Sequence, residues 1–157
     1  MSPKYNLEVA KSKIEGFCAY QERSHLEVKN KLESWHIDFR DINRLISELI
    51  ETNFLNEERF ASSYVSGKFR IKKWGKIKIR QQLKSKQVSQ YSLNKALAEI
   101  DEDEYHITLT KLAISKNRLI KAKNQWDRRI KLQRFLQSKG YENELIGEVL
   151  TDVLQHE

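Results

Sequence analysis

With 157 residues, one proline, five glycines and 32% charged side chains, the chain holds too little turn material for a sandwich or barrel and suits helices joined by short loops. A net charge of +7 favours an anionic partner, whether nucleic acid, an acidic protein surface or anionic lipid, without ranking the three. No run approaches the roughly 18 apolar residues of a membrane helix and MSPKYNLEVAKSK lacks the apolar core of a secretory signal, so a cytoplasmic location and no membrane partner are expected.

In chain order, the first predicted helix covers residues 5–20. Its lone Cys18, beside Phe17, has no disulfide partner and fits a small buried hydrophobe. A second helix, 24–35, opens on Ser24 and Glu27, a capping-box pattern in which hydroxyl and carboxylate satisfy unpaired amides at a helix start. The third covers 39–52. Asn56, followed by Glu57 and Glu58, provides a cap and two negative charges for a fourth helix, 56–70.

The stretch Phe69 to Lys86 is dense in Lys and Arg and contains no acid. Within it KIKIR, Lys76 to Arg80, alternates like a strand, but Ile79 and Leu83 are spaced as Val28 and Leu32 are in the second helix. We therefore expect the fourth helix to end in a Trp74-Gly75 turn and a fifth helix to cover 75–86. A sixth follows over 89–101. The acidic segment Glu99 to Tyr105 is read as a solvated junction and the expected hinge, before helices over 104–122, 127–139 and 142–155. Gly140 suits a left-handed helix stop; His36 and Gln87 occupy the matching positions upstream.

These helices form a repeat. With Leu32, Leu83 and Leu136 as references, 51 and 53 residues apart, apolar residues recur at fixed offsets. They are Val28, Ile79 and Leu132; Ile37, Val88 and Tyr141; Ile42, Leu93 and Ile146; Ile46, Leu97 and Leu150; Leu49, Ile100 and Val153; and, upstream, Val9, Phe60 and Ala113. The expected architecture is all-α: three tandem three-helix repeats over 1–53, 54–102 and 103–157, stacked into an elongated, curved body that buries a continuous face.

On a helical wheel of 76–86, Ile79 and Leu83 point inward. Arg80 and Lys84 lie along one flank with Ile77 among them, and Lys76 falls nearer the core edge. Such a flank suits phosphate or carboxylate, with Trp74 and Ile77 adding stacking or apolar area. A second basic region, Lys116 to Lys139, has Asp127 as its single acid and occupies the corresponding part of the third repeat, so stacking could align the two into one positive surface. The first repeat mixes Glu22, Glu27, Glu33 and Asp38 with its bases. Four scattered histidines, no paired cysteines, no glycine-rich phosphate loop and no nucleophile elbow leave no catalytic or metal site to nominate, and no cofactor is expected.

ERSHLEVKNKL (Glu22 to Leu32) and FLNEERFASSYV (Phe54 to Val65), in tandem repeats of about fifty residues, resemble the RecX regulatory proteins. The family's acid followed by Glu-Arg-Phe-Ala is met by Glu57, Glu58, Arg59, Phe60 and Ala61, and its glycine, base and Leu-ended helix by Gly75, Lys76 and Leu83. LQRFLQSKGYENELI (Leu132 to Ile146) resembles the closing pattern, while Gln87 and His36 stand where the family usually has glycine. The likeness covers about residues 15–155.

The resemblance implies a non-enzymatic modulator of the RecA recombinase, acting in DNA repair, recombination and the SOS response. Family members bind the RecA-DNA filament, lie in its groove and restrain strand exchange, ATP hydrolysis and co-protease activity. Together with the basic regions, it nominates Lys73, Trp74, Lys76, Arg80, Lys84, Arg128, Arg129 and Arg134 as contacts of a monomer with that filament, with DNA touched weakly or within it. An autonomous helical DNA-binding module and a protein-only scaffold stay open as alternatives.

Overall fold

A computed structural model describes residues 1–155; among these are nine helices and no strand. They are α1 (Leu7–Tyr20), α2 (His25–Ser34), α3 (Phe39–Glu51), α4 (Glu57–Arg70), α5 (Lys76–Ser85), α6 (Gln90–Ala98), α7 (Glu102–Leu119), α8 (Gln125–Ser138) and α9 (Asn143–Gln155). Each bound lies within three residues of the sequence expectation. KIKIR is the start of a helix.

The start signals act locally. Ser24 Oγ accepts from the Glu27 amide at 3.0 Å and Asn56 Oδ1 from the Arg59 amide at 2.9 Å. The Glu27 carboxylate reaches outward, to Lys86 Nζ at 3.3 Å. Asp101 caps α7 through the Glu104 amide at 2.9 Å, so the acidic segment Glu99 to Tyr105 holds a capped helix start with three acids in its first turn.

The middle helix of every repeat ends the same way. His36, Gln87 and Gly140 adopt φ of 58°, 60° and 97°. The next amides, of Ile37, Val88 and Tyr141, turn back to the carbonyls of Leu32, Leu83 and Leu136 at 3.3, 3.2 and 3.3 Å. This is the Schellman closure, with its apolar contact supplied by buried partners three times over. The closure holds whether or not the left-handed residue is glycine.

The helices pack into two compact units, Met1–Tyr64 with Leu83–Ala96 and Val65–Gln82 with Leu97–Glu157. The second three-helix set contributes to both. In the first unit, Ala10, Ile14, Val28, Leu32, Ile42, Leu45, Leu49 and Leu55 form a core to which Cys18 belongs. Burial pushes its thiol up to about 11, the state of an inert buried hydrophobe. In the second unit, Val65, Phe69, Ile79, Tyr105, Leu109, Leu132, Leu136, Tyr141, Ile146 and Leu150 are buried.

One column of the repeat register shifts. Val9 is 40% exposed, and Ala10 is fully buried in its place. The first helices bury Ala10, Ile14 and Cys18; Ala61, Val65 and Phe69; and Tyr105, Leu109 and Ala113, each at four-residue spacing. Ala10, Ala61 and Ala113 are each 0% exposed.

Candidate partner-binding surface

The Glu-Glu-Arg-Phe-Ala segment is structural in every member. Glu57 accepts from the Ser89 amide and from the Ser89 and Ser92 hydroxyls, and so caps α6. Burial raises its carboxyl pKa, but these hydrogen bonds outweigh that and hold it below the ordinary value. Glu58 pairs with Lys95 at 2.9 Å. Arg59 binds Glu22, donates to Asn53 Oδ1 at 3.2 Å and reaches the Asn53 and Phe54 carbonyls at 3.1 and 3.3 Å, closing the end of α3. Phe60 and Ala61 are core.

In the second unit the corner between α4 and α5 is clamped by the loop between α8 and α9. At the turn expected at Trp74-Gly75, the left-handed residue is Lys73, at φ 60°. Gly75 serves close approach instead: a Cβ there would meet the Gly140 carbonyl carbon and oxygen at 2.4 Å. The open amides of the α5 N-terminus are satisfied by this neighbour. Gly75 donates to the Lys139 carbonyl at 2.7 Å, Ile77 to that of Gly140 at 3.0 Å, and Lys76 to Tyr105 Oη at 2.9 Å. Tyr105 in turn donates to Glu142, and Tyr141 Oη donates to the Lys73 carbonyl at 2.8 Å. Phe69, Tyr105 and Tyr141 stack in series with centroids 5.8 and 5.1 Å apart. Burial, aided by Glu142, keeps both phenols well above their ordinary range and neutral.

This clamp sorts the nominated residues. Lys76 is ion-paired with Glu102 at 2.8 Å and lies 4.7 Å from the Tyr105 ring centroid. Arg128 donates to the Asn117 carbonyl and Oδ1, both at 2.8 Å, tying α8 to α7. Arg129 reaches the Gly147 carbonyl at 3.3 Å and Thr151 Oγ1 at 3.4 Å, tying α8 to α9. These three thus have internal partners, and Lys73 Nζ also donates to the Arg70 carbonyl at 2.7 Å. Lys73, Lys84 and Arg134 are exposed, while Arg80 and Trp74 are half-buried. Arg80 and Lys84 are one turn apart on α5, inside which Ile79 and Leu83 are fully buried, and Ile77 is 43% exposed.

Two residues outside the nominated set belong to this corner. Lys68 and Lys78 place their ammonium groups 4.9 and 4.5 Å from the Trp74 ring centroid, within cation–π range. Only Lys78 had a sequence signal, four residues after Trp74 at the start of the next helix. Among the described residues no group of His, Cys, Asp and Glu could hold a metal ion, and no helix is long and apolar enough to cross a membrane.

Fold and surface together define an all-helical protein of three-helix repeats that offers cations and aromatic faces. The comparisons make the class specific. Family models described as the second and third three-helix domains of RecX match residues 56–97 and 102–150, together more than half of the chain. The chain is 32% identical over 137 residues to a "Regulatory protein RecX" of Clostridium perfringens (strain SM101 / Type A), covering 86% of this chain and 64% of that one. It is 34% identical to a protein of the same name from Clostridium tetani, covering 84% of this chain and 61% of the relative. The chain therefore spans less than two thirds of the length of these two relatives. It shares its fold with the crystal structure of RecX from Lactobacillus salivarius, with a TM-score of 0.82 and 21% identity over 94% of this chain and 96% of that one. The chain belongs to the RecX family.

Proposed function

We propose that the chain is a non-enzymatic regulator that binds a RecA recombinase filament on DNA and inhibits its strand exchange, ATP hydrolysis and co-protease activity. Family membership carries this reading. The solvent flank of α5 supports it, because Arg80, Lys84 and Ile77 stand on a helix whose start is fixed by the α8–α9 loop and whose inner face is fully buried. Rigid display keeps the entropy lost on binding small.

On this reading repeats two (54–102) and three (103–157) supply the contacts. Lys73, Trp74, Arg80, Lys84 and Arg134 meet the partner, while Lys76, Arg128 and Arg129 also hold the helices that present them. Individually weak charge contacts at several places along one chain add through multivalency.

The test is co-sedimentation with recombinase filaments formed on single-stranded DNA. The wild-type chain should pellet with filaments, and an Arg80→Glu/Lys84→Glu double variant of unchanged helicity should pellet several-fold less. Equal retention of the double variant would move the contact off α5. Equal affinity for bare DNA and for filaments would favour an autonomous DNA-binding module.

A further inference from the structure

The longest helix among the described residues, α7, carries apolar side chains on two sides. Its inner side is core: Tyr105, Leu109 and Ala113 are buried. On its outer side Ile107 and Ile114 are 52% and 37% exposed. They are one heptad apart, so they share a stripe and stand about 10 Å from each other along the axis. Asp103 lies one turn before the first isoleucine and Arg118 one turn after the second. Both are exposed, and neither has a partner among the described residues.

From either end the stripe has the same apolar spacing and the opposite charge, running Asp103, Ile107, Ile114, Arg118. A helix of this pattern complements itself when turned end for end. Antiparallel pairing about a two-fold axis between Thr110 and Lys111 sets Ile107 against Ile114 of a second copy and Asp103 against its Arg118, each twice. Parallel pairing would set acid on acid and base on base, which like-charge repulsion opposes. Beside the stripe runs a groove of about 390 Å³, lined by Ile107, Thr108, Lys111 and Leu112 of α7 together with Lys73. It gives the facing ridge of side chains a place to seat.

We propose that the outer face of α7 is an interface with a second copy of this chain, an antiparallel two-fold helix pair, in place of the monomer expected from the sequence. A second copy is the occupant that supplies both ends of the charge pattern as well as the apolar centre. A nucleic acid would be repelled by Asp103 and would gain nothing from the isoleucines. The apolar area is small, so the dimer forms at high chain concentration and is not obligate. Lys111 lies nearest the axis and opposes the pairing by meeting its own symmetry mate, although its long stem lets the ammonium reach solvent past the isoleucines.

The inference is independent of the recombinase reading, since its main test contains this chain alone. In sedimentation velocity the weight-average mass should rise with concentration from one chain toward two, and should fall back in high salt. Asp103→Arg and Arg118→Asp should each weaken association about 2- to 30-fold, because symmetry counts each exposed ion pair twice. An equimolar mixture of these two single variants should regain it, since one then carries two cations on the stripe and the other two acids. Ile107→Ser/Ile114→Ser should abolish association, and Lys111→Gln should strengthen it. Because the substituted side chains are exposed, far-UV circular dichroism should match wild type. A wild-type chain that stays single at about 1 mM, or a mixture that associates no better than its components, would overturn the proposal. A single-chain wild type whose co-sedimentation with filaments falls in Ile107→Ser/Ile114→Ser would also overturn it, giving the face to the recombinase instead.

Discussion

Adding one methyl group at Gly75 should destabilise the protein more than its position at a helix start would suggest. The new Cβ would lie 2.4 Å from both the carbonyl carbon and oxygen of Gly140 and 2.6 Å from the Tyr141 amide nitrogen, all of them backbone. No flexible side chain can move aside, so the α8–α9 loop must withdraw. Withdrawal stretches the bonds from Gly75 to the Lys139 carbonyl and from Ile77 to that of Gly140. Overpacking costs about 1–3 kcal/mol, and two weakened hydrogen bonds add about 1 kcal/mol each. Gly75→Ala should therefore cost about 3–5 kcal/mol.

Gly16, inside α1 with nothing within 4 Å of its would-be Cβ, is the control. There the same change should stabilise by about 0.5–1 kcal/mol, through helix propensity and reduced freedom of the unfolded chain. Urea unfolding followed by far-UV circular dichroism measures both. Equal or higher stability of Gly75→Ala would refute the close-approach account of that residue.

Two further outcomes follow from the same contacts. Tyr105→Phe removes the hydroxyl between the Lys76 amide and Glu142 and leaves both without it, so urea unfolding should show a loss of about 1–3 kcal/mol. Glu57 has a carboxyl pKa lowered in the folded state, so its stabilisation is complete above the ordinary glutamate value and is lost as pH falls through the folded pKa. Glu57→Gln should therefore be less stable than wild type at neutral pH, and the gap should close on acidification below the ordinary value. A gap that stays constant with pH would contradict the charge-based cap on α6.

The interior of the fold was legible in the sequence, and its surface partnerships were not. Ile79 and Leu83 matched Val28 and Leu32 because a buried stripe repeats every three to four residues, and that overrode the strand-like alternation of KIKIR. The three left-handed stops followed from their alignment with Gly140. Val9 misled because a valine and the neighbouring Ala10 are both acceptable apolar choices, and only packing against α2 and α3 decides between them.

Among the cations, periodicity identifies the solvent face but is silent on which charge meets a group distant in sequence. Lys76 finds Glu102, twenty-six residues away, and Arg128 finds Asn117, eleven residues back. Gly75 was read as a turn residue because its neighbour in space, Gly140, lies in another repeat. The motif at Glu57 to Ala61 finds its partners within the chain: Glu57 caps α6, Arg59 closes the end of α3, and Phe60 and Ala61 fill the core.

The central claim, regulation of a recombinase through a helical basic surface, is tested most directly by the single-stranded-DNA-dependent ATPase of a cognate RecA recombinase titrated with this chain. The account predicts that hydrolysis falls with increasing wild-type chain and that Arg80→Glu/Lys84→Glu requires several-fold more protein for the same effect. A rate unchanged at saturating wild-type chain would contradict it.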